Sequence, residues 1–400
     1  MQLHRLKAQP HLSYCTNIHA GESWSDVRDS LNIFVPTIRD ALAEGAPMGI
    51  GLRLSAQAAD SLLQADEIAA FKRQLKELNA YVFTLNAFPY GTFHGVKVKQ
   101  DVYLPDWSTA ERLRYTIVCT DILADLLPEG VSGSISTVPV GFRDAVDTPD
   151  AMSRILDHLL QSVAHMVAVH QRSGKFIALA LEPEPACYLE TTQEAADFIL
   201  NHVRSQPAVS QLAAMLSCTD AQAMQALQQH LGVCFDVCHS AVEFENPQQA
   251  MRQLREALIC IPKIQLSSAV RIPQMSQALL STVNMFDDAV YLHQVVVQQP
   301  LGLQRFLDLP QAVAAFDAGQ ANGEWRVHCH VPVFLEHVGD ISTTQAQLMQ
   351  TLEACKLEGF SSHLEVETYT WDVLPASLKT DTKAQAIARE LLFVKQALMS

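Results

Sequence analysis

Short apolar runs alternate with longer amphipathic stretches along most of the chain. Strands buried in a parallel sheet form nearly continuous apolar segments, whereas the helices that cover such a sheet carry apolar residues at three- to four-residue spacing. We predict strands at residues 12–19, 48–54, 81–88, 131–140, 176–181, 232–236, 261–266 and 364–369. Helices are predicted between them, at residues 25–42, 66–78, 109–127, 151–170, 193–203, 221–230, 248–258 and 383–398.

Strict alternation of strands and helices implies parallel pairing with right-handed crossovers. Closing eight such units gives a (β/α)8 barrel, the TIM barrel, which we predict as a single domain over residues 1–400. An open, doubly wound sheet is the alternative.

Residues 269–341 do not follow this alternation, because apolar runs at 291–297 and 325–334 add strand-like segments. We predict an insertion after strand seven, formed by a hairpin and a short helix at 309–318. The alternative is that the insertion contains strand eight, and that residues 364–369 pack outside the barrel as a ninth strand. Long segments of this kind in compact domains often serve as lids.

Composition limits the possible functions. Hydrophobic residues make up 48% of the chain and charged residues 18%, which is enough apolar material for a large core. The net charge of −15 disfavours nucleic acid as a partner, since binding to phosphates draws on Lys and Arg. Nine cysteines without a CxxC pair, no leader-like N-terminus and no apolar run of about 18 residues predict a cytoplasmic protein without a membrane span.

Catalytic residues of a barrel lie at the C-terminal ends of its strands. Glu182 ends strand five, Asp236 and His239 end strand six, Gln265 lies on strand seven, and Glu367 lies on the last strand. Carboxylates that converge at an apolar barrel mouth need a cation or another charge partner. We predict a divalent metal ion (Mn²⁺, Mg²⁺, Co²⁺ or Zn²⁺) held by Glu182, Asp236, Gln265 and Glu367.

Each of these residues has a simpler interpretation. A single Glu at a strand end is often solvated, and Asp-x-x-His is also typical of a helix N-cap followed by a surface His. Glu365 and Glu367 lie two apart on one strand, yet one of them could face the helices. Because candidate ligands lie at the ends of three separate strands, the sequence favours a functional site over these simpler interpretations.

Two further segments carry candidate ligand-binding residues. His328 and His330 lie two apart, so their side chains point the same way, as metal ligands or as donors to a substrate. The alternative is an exposed edge strand. The aromatic loop after strand three, with Lys99 beyond it, could close over an anionic or hydroxylated ligand, or be only a packed loop. The predicted substrate-binding residues are His19, Asn86, His94, Lys97, His328 and His330.

Several common motifs are absent from the sequence. It contains no GxGxxG, no GxxxxGK[ST], no GxSxG and no HExxH. Nucleotide-dependent chemistry and serine hydrolysis are therefore disfavoured.

The strand-end residues resemble the xylose-isomerase-like TIM barrels, the superfamily of sugar isomerases, epimerases and endonuclease IV. Glu182, Asp236 with His239, and Glu367 match its ligand positions. Gln265 stands where the superfamily has a His, so the resemblance leaves one ligand open, with His328 or His330 as candidates to replace it. Residues 86–94, 102–107, 134–139 and 328–332 resemble the metabolite-traffic EboE family. That resemblance runs over nearly the whole chain and implies a role in making or moving a secondary metabolite, such as a cyclitol or a prenylated product.

Three functions follow from these observations. The first is a metal-dependent isomerase or epimerase of a sugar, polyol or cyclitol, in which Glu182 and Glu367 act on opposite sides of the substrate and His239 polarises a hydroxyl. The second is a barrel that binds or carries a metabolite without turnover, which Gln265 favours. The third is nuclease action like that of endonuclease IV, which the net charge and an incomplete set of ligands for three metals disfavour.

Overall fold

The computed structural model describes residues 1–42, 45–95, 97–146, 148–379 and 381–400 of the protein. Within these ranges the chain forms the following strands: β1 (His11–Tyr14), β2 (Met48–Arg53), β3 (Ala80–Asn86), β4 (Gly133–Thr137), β5 (Ile177–Leu181), β6 (Leu231–Asp236), β7 (Lys263–Leu266), β8 (Ser268–Ile272), β9 (Val295–Gln299), β10 (Gly302–Phe306), β11 (Glu324–Val331), β12 (His337–Val338), β13 (Ile341–Thr343) and β14 (His363–Val366).

Eight parallel strands form the barrel, in the order β1-β14-β7-β6-β5-β4-β3-β2. A parallel bridge between Cys15 and Gly51 joins the chain just after β1 to β2, so the sheet closes on itself. The (β/α)8 barrel is thereby confirmed, and the open sheet is wrong. β14 pairs with both β1 and β7. It is therefore strand eight, and the alternative of a ninth strand packed outside is also wrong.

Helices follow the strands as the alternation predicts, with additions. Their bounds are α1 (Trp24–Leu42), α2 (Ala56–Leu62), α3 (Ala65–Glu77), α4 (Ala110–Leu126), α5 (Arg143–Val146), α6 (Pro149–Ser173), α7 (Thr192–Phe198), α8 (Gln206–Leu216), α9 (Asp220–His230), α10 (Val237–Val242), α11 (Pro247–Glu256), α12 (Leu280–Val283), α13 (Leu309–Asp317), α14 (Gln345–Glu358) and α15 (Lys383–Met399). The prediction missed α2, α5, α8, α10, α12 and α14. Among the helices described, none is both long enough and apolar enough to cross a membrane.

Helix starts are encoded locally by hydroxyl side chains. At seven N-caps in the described chain the hydroxyl oxygen accepts a hydrogen bond from the amide three residues ahead, at Ser55, Thr109, Thr148, Thr191, Ser205, Thr219 and Thr382. Each such cap stabilises a helix by about 1 kcal/mol. The caps explain why predicted and observed helix starts agree within a few residues.

The insertion after β7 is larger than the predicted hairpin and short helix. It contains an antiparallel sheet of six strands within the described residues, in the order β10-β9-β11-β8-β13-β12. The predicted short helix corresponds to α13. β11 pairs with β8 on one side and β9 on the other. His328 and His330 therefore lie on a buried central strand, and the interpretation as an exposed edge strand is wrong.

The inserted sheet lies at the C-terminal end of the barrel. β8 begins two residues after β7 ends, and α10, which follows β6, packs against β8 and β11. The Thr370 hydroxyl, beyond β14, donates to the carbonyl of His330 on β11. Apolar side chains of the barrel and of the insertion belong to one buried cluster. β11 is thus held over the barrel mouth, where the strand-end residues lie.

A buried ion pair fills the barrel interior below this mouth. Lys263 Nζ lies 2.6 Å from Glu365 Oε1, and both side chains are 0% exposed. Gly51 on β2 makes room for the carboxylate, because a Cβ at this position would lie 1.5 Å from Glu365 Oε2. Glu365 and Glu367 therefore both face inward, at successive levels of the barrel.

Candidate functional site

Three carboxylates from different barrel strands converge at the mouth of the barrel. Glu182 follows β5, Asp236 ends β6, and Glu367 follows β14. One oxygen of each lies within 4.8 Å of the other two, and all three side chains are buried. Glu182 Oε2 and Asp236 Oδ2 have no hydrogen-bond partner among the residues that the structure describes. Buried carboxylate oxygens in this state fit a divalent cation with a preference for oxygen ligands.

The carboxylates perturb one another. Burial raises the pKa of Glu182 well above its usual range, and the charges of Glu367 and Asp236 raise it further. Burial likewise raises the pKa of Glu367, with the charges of Asp236 and Glu365 adding to the shift. Such shifts are expected where carboxylates share an apolar site without a cation to neutralise them.

Amide and hydroxyl donors orient two of the carboxylates. Glu367 Oε1 accepts hydrogen bonds from Asn17 Nδ2 at 2.7 Å and from Asn86 Nδ2 at 3.0 Å. Asp236 Oδ1 accepts from Ser267 Oγ at 2.9 Å and from the His239 amide at 3.0 Å. Each of these two carboxylates is therefore held in place through one of its oxygens.

The Asp-x-x-His motif is both a helix N-cap and part of the candidate site. Asp236 is the N-cap of α10, as the simpler interpretation states. His239, however, is buried rather than on the surface. Its Nδ1 lies 2.9 Å from the carbonyl oxygen of Pro183, which follows Glu182. This bond turns Nε2 of His239 toward the site.

The two β11 histidines meet His239 over the carboxylates. His330 Nε2 lies 3.3 Å from His328 Nε2 and 3.4 Å from His239 Nε2. Burial lowers the pKa of His330 to about 4, and it lowers that of His328 well below its usual range. Both rings are therefore neutral at pH 7.

A fourth carboxylate, Glu184, lies beside the histidines. Its Oε1 accepts from Tyr103 Oη at 2.8 Å and lies 3.6 Å from His328 Nδ1. Burial raises its pKa. Sequence reasoning missed Glu184 and Tyr103, although Glu184 is the second glutamate of the Leu-Glu-Pro-Glu-Pro segment that ends strand five.

Gln265, the fourth predicted metal ligand, is directed elsewhere. It is fully buried on β7, and its Oε1 accepts from the Cys234 thiol at 2.9 Å. Its Nε2 has no partner within the described ranges. An amide nitrogen is not a ligand for a divalent ion, and the amide oxygen is already engaged. Gln265 therefore adds nothing to the carboxylate group in this conformation.

Of the predicted substrate-binding residues, Asn86 and His328 line the cavity, whereas His19, His94, Lys97 and His330 lie outside its lining. His19 stacks on Phe34 with ring centroids 4.1 Å apart, and its Nε2 is 3.0 Å from Tyr14 Oη. Lys97 is exposed. Lys99 lines the cavity instead, and its Nζ lies 2.7 Å from Asp308 Oδ2 of the insertion.

His94 connects the loop after β3 to the insertion. Its Nε2 lies 2.5 Å from the carbonyl oxygen of Asn17, and its Nδ1 lies 2.9 Å from Tyr291 Oη. The amides of Val98 and Lys99 both donate to the Val290 carbonyl at 2.9 Å. The loop and the insertion thus form one joined cover over the site, and His94 positions residues of the cavity wall.

The resulting cavity has a polar floor and an aromatic wall. The lining residues are Asn17, Asn86, Phe88, Pro89, Phe93, Lys99, Val102, Tyr103, Glu182, Glu184, His239, Tyr291, Leu292, His328, Glu367 and Tyr369. Sequence reasoning also missed Asn17, which the strand-end rule would have found, and Tyr291, which only the folded insertion brings here.

Glu390 on α15 accepts hydrogen bonds from the segments that follow β11 and β14. Its Oε1 accepts from the Val333 amide at 3.1 Å and from Thr368 Oγ1 at 2.7 Å. Val333 lies three residues after His330, and Thr368 directly follows Glu367. Burial raises the pKa of Glu390 to about 7.

Replacing Glu390 by Gln should change how stability depends on pH. Because the folded-state pKa of about 7 exceeds the usual 4.5, the protonated form is favoured by folding, and the penalty for ionisation grows as pH rises from 4.5 to 7. Gln cannot ionise and keeps the accepting oxygen. Relative to the natural protein, the free energy of unfolding of E390Q should rise by about 2–3 kcal/mol as pH increases from 5 to 8. Urea denaturation at several pH values measures this difference. The exposed Glu353→Gln variant should show no such change, and an equal gain there would contradict the assignment to Glu390.

Solved structures resemble the chain over nearly its whole length. An L-ribulose 3-epimerase matches with a TM-score of 0.49 and 12% identity, covering 98% of this chain and 95% of that one. A D-psicose 3-epimerase from Clostridium cellulolyticum H10 gives 0.49 and 12%, covering 97% and 99%. The IolI protein with a bound zinc atom gives 0.47 and 13%, covering 98% of each. No protein-family model and no curated protein matches the chain. The similarity is one of fold, and the strand order establishes that fold independently.

Proposed function

We propose that the protein is a divalent-metal-dependent isomerase or epimerase of a small sugar, polyol or cyclitol that carries a carbonyl group. The observation that carries the proposal is the meeting of Glu182, Asp236 and Glu367 at the barrel mouth, with buried oxygens that the described residues leave unpartnered. Glu182 and Glu367 also line the cavity. Glu182 and Glu367 reach the cavity from β5 and β14, with β6 and β7 between them. They therefore approach a bound molecule from different sides.

The two glutamates are suited to opposite proton transfers. A carboxyl group whose pKa is raised toward neutrality both accepts and donates protons efficiently at pH 7. The amides of Asn17 and Asn86 stabilise the ionised form of Glu367, which suits it to remove a proton from the carbon next to a carbonyl. Glu182 lacks comparable donors on Oε2 among the described residues, so its second role would be to hold the ion and to return the proton on the other side of the substrate.

The carboxylates also define where a metal ion would bind. A divalent ion held by Glu182, Asp236 and Glu367 would stabilise the negative charge that develops on the substrate oxygens. Asp236 is fixed for such a role by Ser267 and the His239 amide. Gln265 takes no part, because its oxygen is engaged with Cys234.

The cover would limit the access of water to the reacting atoms. Phe93, Tyr291 and Tyr369 form a cluster in which each pair of ring centroids lies 5.2–5.3 Å apart. Lys99 supplies a positive donor at the rim for a hydroxyl or an anionic group. His239 was expected to polarise a hydroxyl. Its Nδ1 is occupied by Pro183, so a neutral His239 offers only an acceptor nitrogen to the site.

The test is exchange of substrate hydrogen with solvent. Incubation in D2O with Mn²⁺ and a panel of ketopentoses, ketohexoses and keto-cyclitols should place deuterium next to the carbonyl of at least one compound, detected by NMR. Glu182→Gln and Glu367→Gln should each lower the exchange rate at least about 100-fold, since general acid–base catalysis supplies roughly 10²–10⁴. Glu353→Gln, exposed on α14, should keep the full rate.

A carrier without turnover is the second candidate, and the placement of Gln265 favours it, because one expected ligand is missing. Compounds that bind tightly without deuterium exchange would support the carrier and contradict the enzyme. A role in secondary-metabolite traffic belongs to this candidate and depends on the EboE resemblance.

A nuclease is not favoured, since Lys99 is the only cation among the described residues that line the cavity.

A further inference from the structure

Asn17 lies next to the proposed base and has one polar atom that the mechanism does not use. The side chain is buried, lines the cavity and donates from Nδ2 to Glu367 Oε1 at 2.7 Å. Its other polar atom, Oδ1, has no hydrogen-bond partner among the residues that the structure describes. A buried amide oxygen without a partner costs free energy, so such an atom on a cavity-lining residue points to a ligand that supplies the donor.

The orientation of this amide follows from its partner. Glu367 must be ionised to remove a proton, and both oxygens of an ionised carboxylate can only accept hydrogen bonds. The Asn17 nitrogen is therefore the atom that faces Glu367, and the oxygen is the atom left without a partner. Exchanging the two amide atoms would place two acceptors 2.7 Å apart.

The main chain around Asn17 is held in place from two sides. The Arg53 amide on β2 donates at 2.8 Å to the hydroxyl of Thr16, which directly precedes Asn17. On the other side, His94 Nε2 lies 2.5 Å from the carbonyl oxygen of Asn17. Asn17 is thus tied to a barrel strand and to the cover, so its side chain is preorganised to bind a ligand.

Asn86 provides a direct comparison at the same carboxylate oxygen. Its Nδ2 also donates to Glu367 Oε1, at 3.0 Å, and the residue is buried to the same extent as Asn17. Its Oδ1, however, accepts from the Phe88 amide at 3.2 Å. The two amides therefore make the same bond to the proposed base and differ in their oxygens. Within the described chain, that of Asn86 is engaged and that of Asn17 is not.

The unpartnered oxygen lies within reach of the carbon on which the base would act. The two polar atoms of an amide, like those of a carboxylate, are about 2.2 Å apart. Asn17 Oδ1 therefore lies within about 5 Å of Glu367 Oε1 and within about 7 Å of Oε2. A base about 3 Å from a carbon, with a hydrogen bond of about 2.8 Å from a hydroxyl on that carbon, spans up to about 7 Å. One hydroxyl-bearing carbon can thus contact both residues.

We propose that Asn17 is a specificity-determining residue, whose Oδ1 accepts a hydrogen bond from a hydroxyl group on the substrate carbon that gives its proton to Glu367. The inference rests on the proposed function for the role of Glu367. A hydroxyl is the expected donor, since an ammonium group would pair with a carboxylate of the cavity in preference to a neutral amide. A substrate without this hydroxyl is rejected, because it leaves the buried amide oxygen unpaired.

Matched pairs of ketoses test the proposal. D-ribulose and D-fructose are each compared, with Mn²⁺ present, with the analogues that lack the hydroxyl on C1 or on C3 but keep hydrogen there. Deuterium exchange is measured by NMR and the dissociation constant by calorimetry. The natural protein should prefer a hydroxylated compound at least about 10-fold, since an unpaired buried acceptor costs roughly that factor. Asn17→Ala should reduce the preference to less than about 3-fold, because neither compound can then make the bond.

Asn86→Ala is the matched control, because it removes an equivalent donor from Glu367 Oε1. It should slow exchange of both compounds alike and keep the preference of the natural protein. Both variants should keep the circular-dichroism spectrum of the natural protein.

The outcomes separate this inference from the proposed function. Loss of the preference in both variants, or its retention in Asn17→Ala, would overturn the inference. A natural protein with no preference in either measurement would do the same, and that result needs no variant. A preference seen in binding without any exchange, and lost only in Asn17→Ala, would leave Asn17 as the hydroxyl-binding residue and reject the isomerase function.

Discussion

Replacing Lys263 by Met is expected to destabilise the folded protein by about 3–5 kcal/mol, the effect usual for removing one partner of a buried ion pair. Lys263 and Glu365 are both 0% exposed, with Nζ and Oε1 2.6 Å apart. Within the described residues, no group other than Lys263 pairs with a Glu365 oxygen. The variant would therefore leave a carboxyl group in the barrel interior that must either stay ionised without a cation or take up a proton.

Urea denaturation of single and double variants checks this prediction. K263M/E365M should recover most of the lost stability, since both charges are then removed and the methionine side chains fill similar volume. The recovery measures the coupling between the two residues. A single variant that loses less than about 1 kcal/mol would show that the pair is not needed to hold the barrel interior together.

Replacing Arg112 by Met should both destabilise the protein and disturb the cavity. The Arg112 guanidinium is fully buried and donates to the carbonyls of Pro105, Ala87 and Phe88 at 2.8, 2.7 and 3.1 Å. Each carbonyl left without a donor costs about 1–3 kcal/mol, so a loss of roughly 3–6 kcal/mol is expected. Because Phe88 lines the cavity, affinity for a bound ligand should fall as well.

A neighbouring arginine supplies the control. Arg114 lies on the same helix, pairs with Asp60 at 2.8 Å and is 61% exposed on its side chain. Arg114→Met should change the free energy of unfolding by less than about 1 kcal/mol, as expected of a surface ion pair. Equal losses in both variants would contradict a specific role for Arg112. Arg112→Lys should recover only part of the stability, because an ammonium group cannot span three carbonyls in one plane.

The barrel could be predicted because its strands are buried on both faces. A run such as Ile177–Leu181 is apolar throughout, and its end is marked by Glu182 and the prolines that follow. The same rule located Glu182, Asp236 and Glu367, because parallel strands bring their C-terminal ends to one rim. Local periodicity was therefore sufficient for the fold and for half of the site.

The insertion was harder, because its pairing is non-local. β8 pairs with β11 and β13, which lie more than 50 residues further along the chain, and no periodicity encodes such a register. α14 was missed because its buried face includes the polar residues Gln345 and Thr351, which weakens the apolar periodicity. The meeting of His239 with His328 depends on the register of the inserted sheet, as does the hydrogen bond between His328 and Gln294, so neither could be derived from strand ends.

The way in which the histidines are oriented has a consequence for how the protein can vary. Two of the three acceptors that fix their tautomers are main-chain carbonyls, of Pro183 and Glu367, which no point mutation can delete. The third is the side-chain oxygen of Gln294. A substitution at position 294 should therefore be able to release the ring of His328, whereas no change of side chain at position 183 or 367 removes the acceptor that orients His239 or His330.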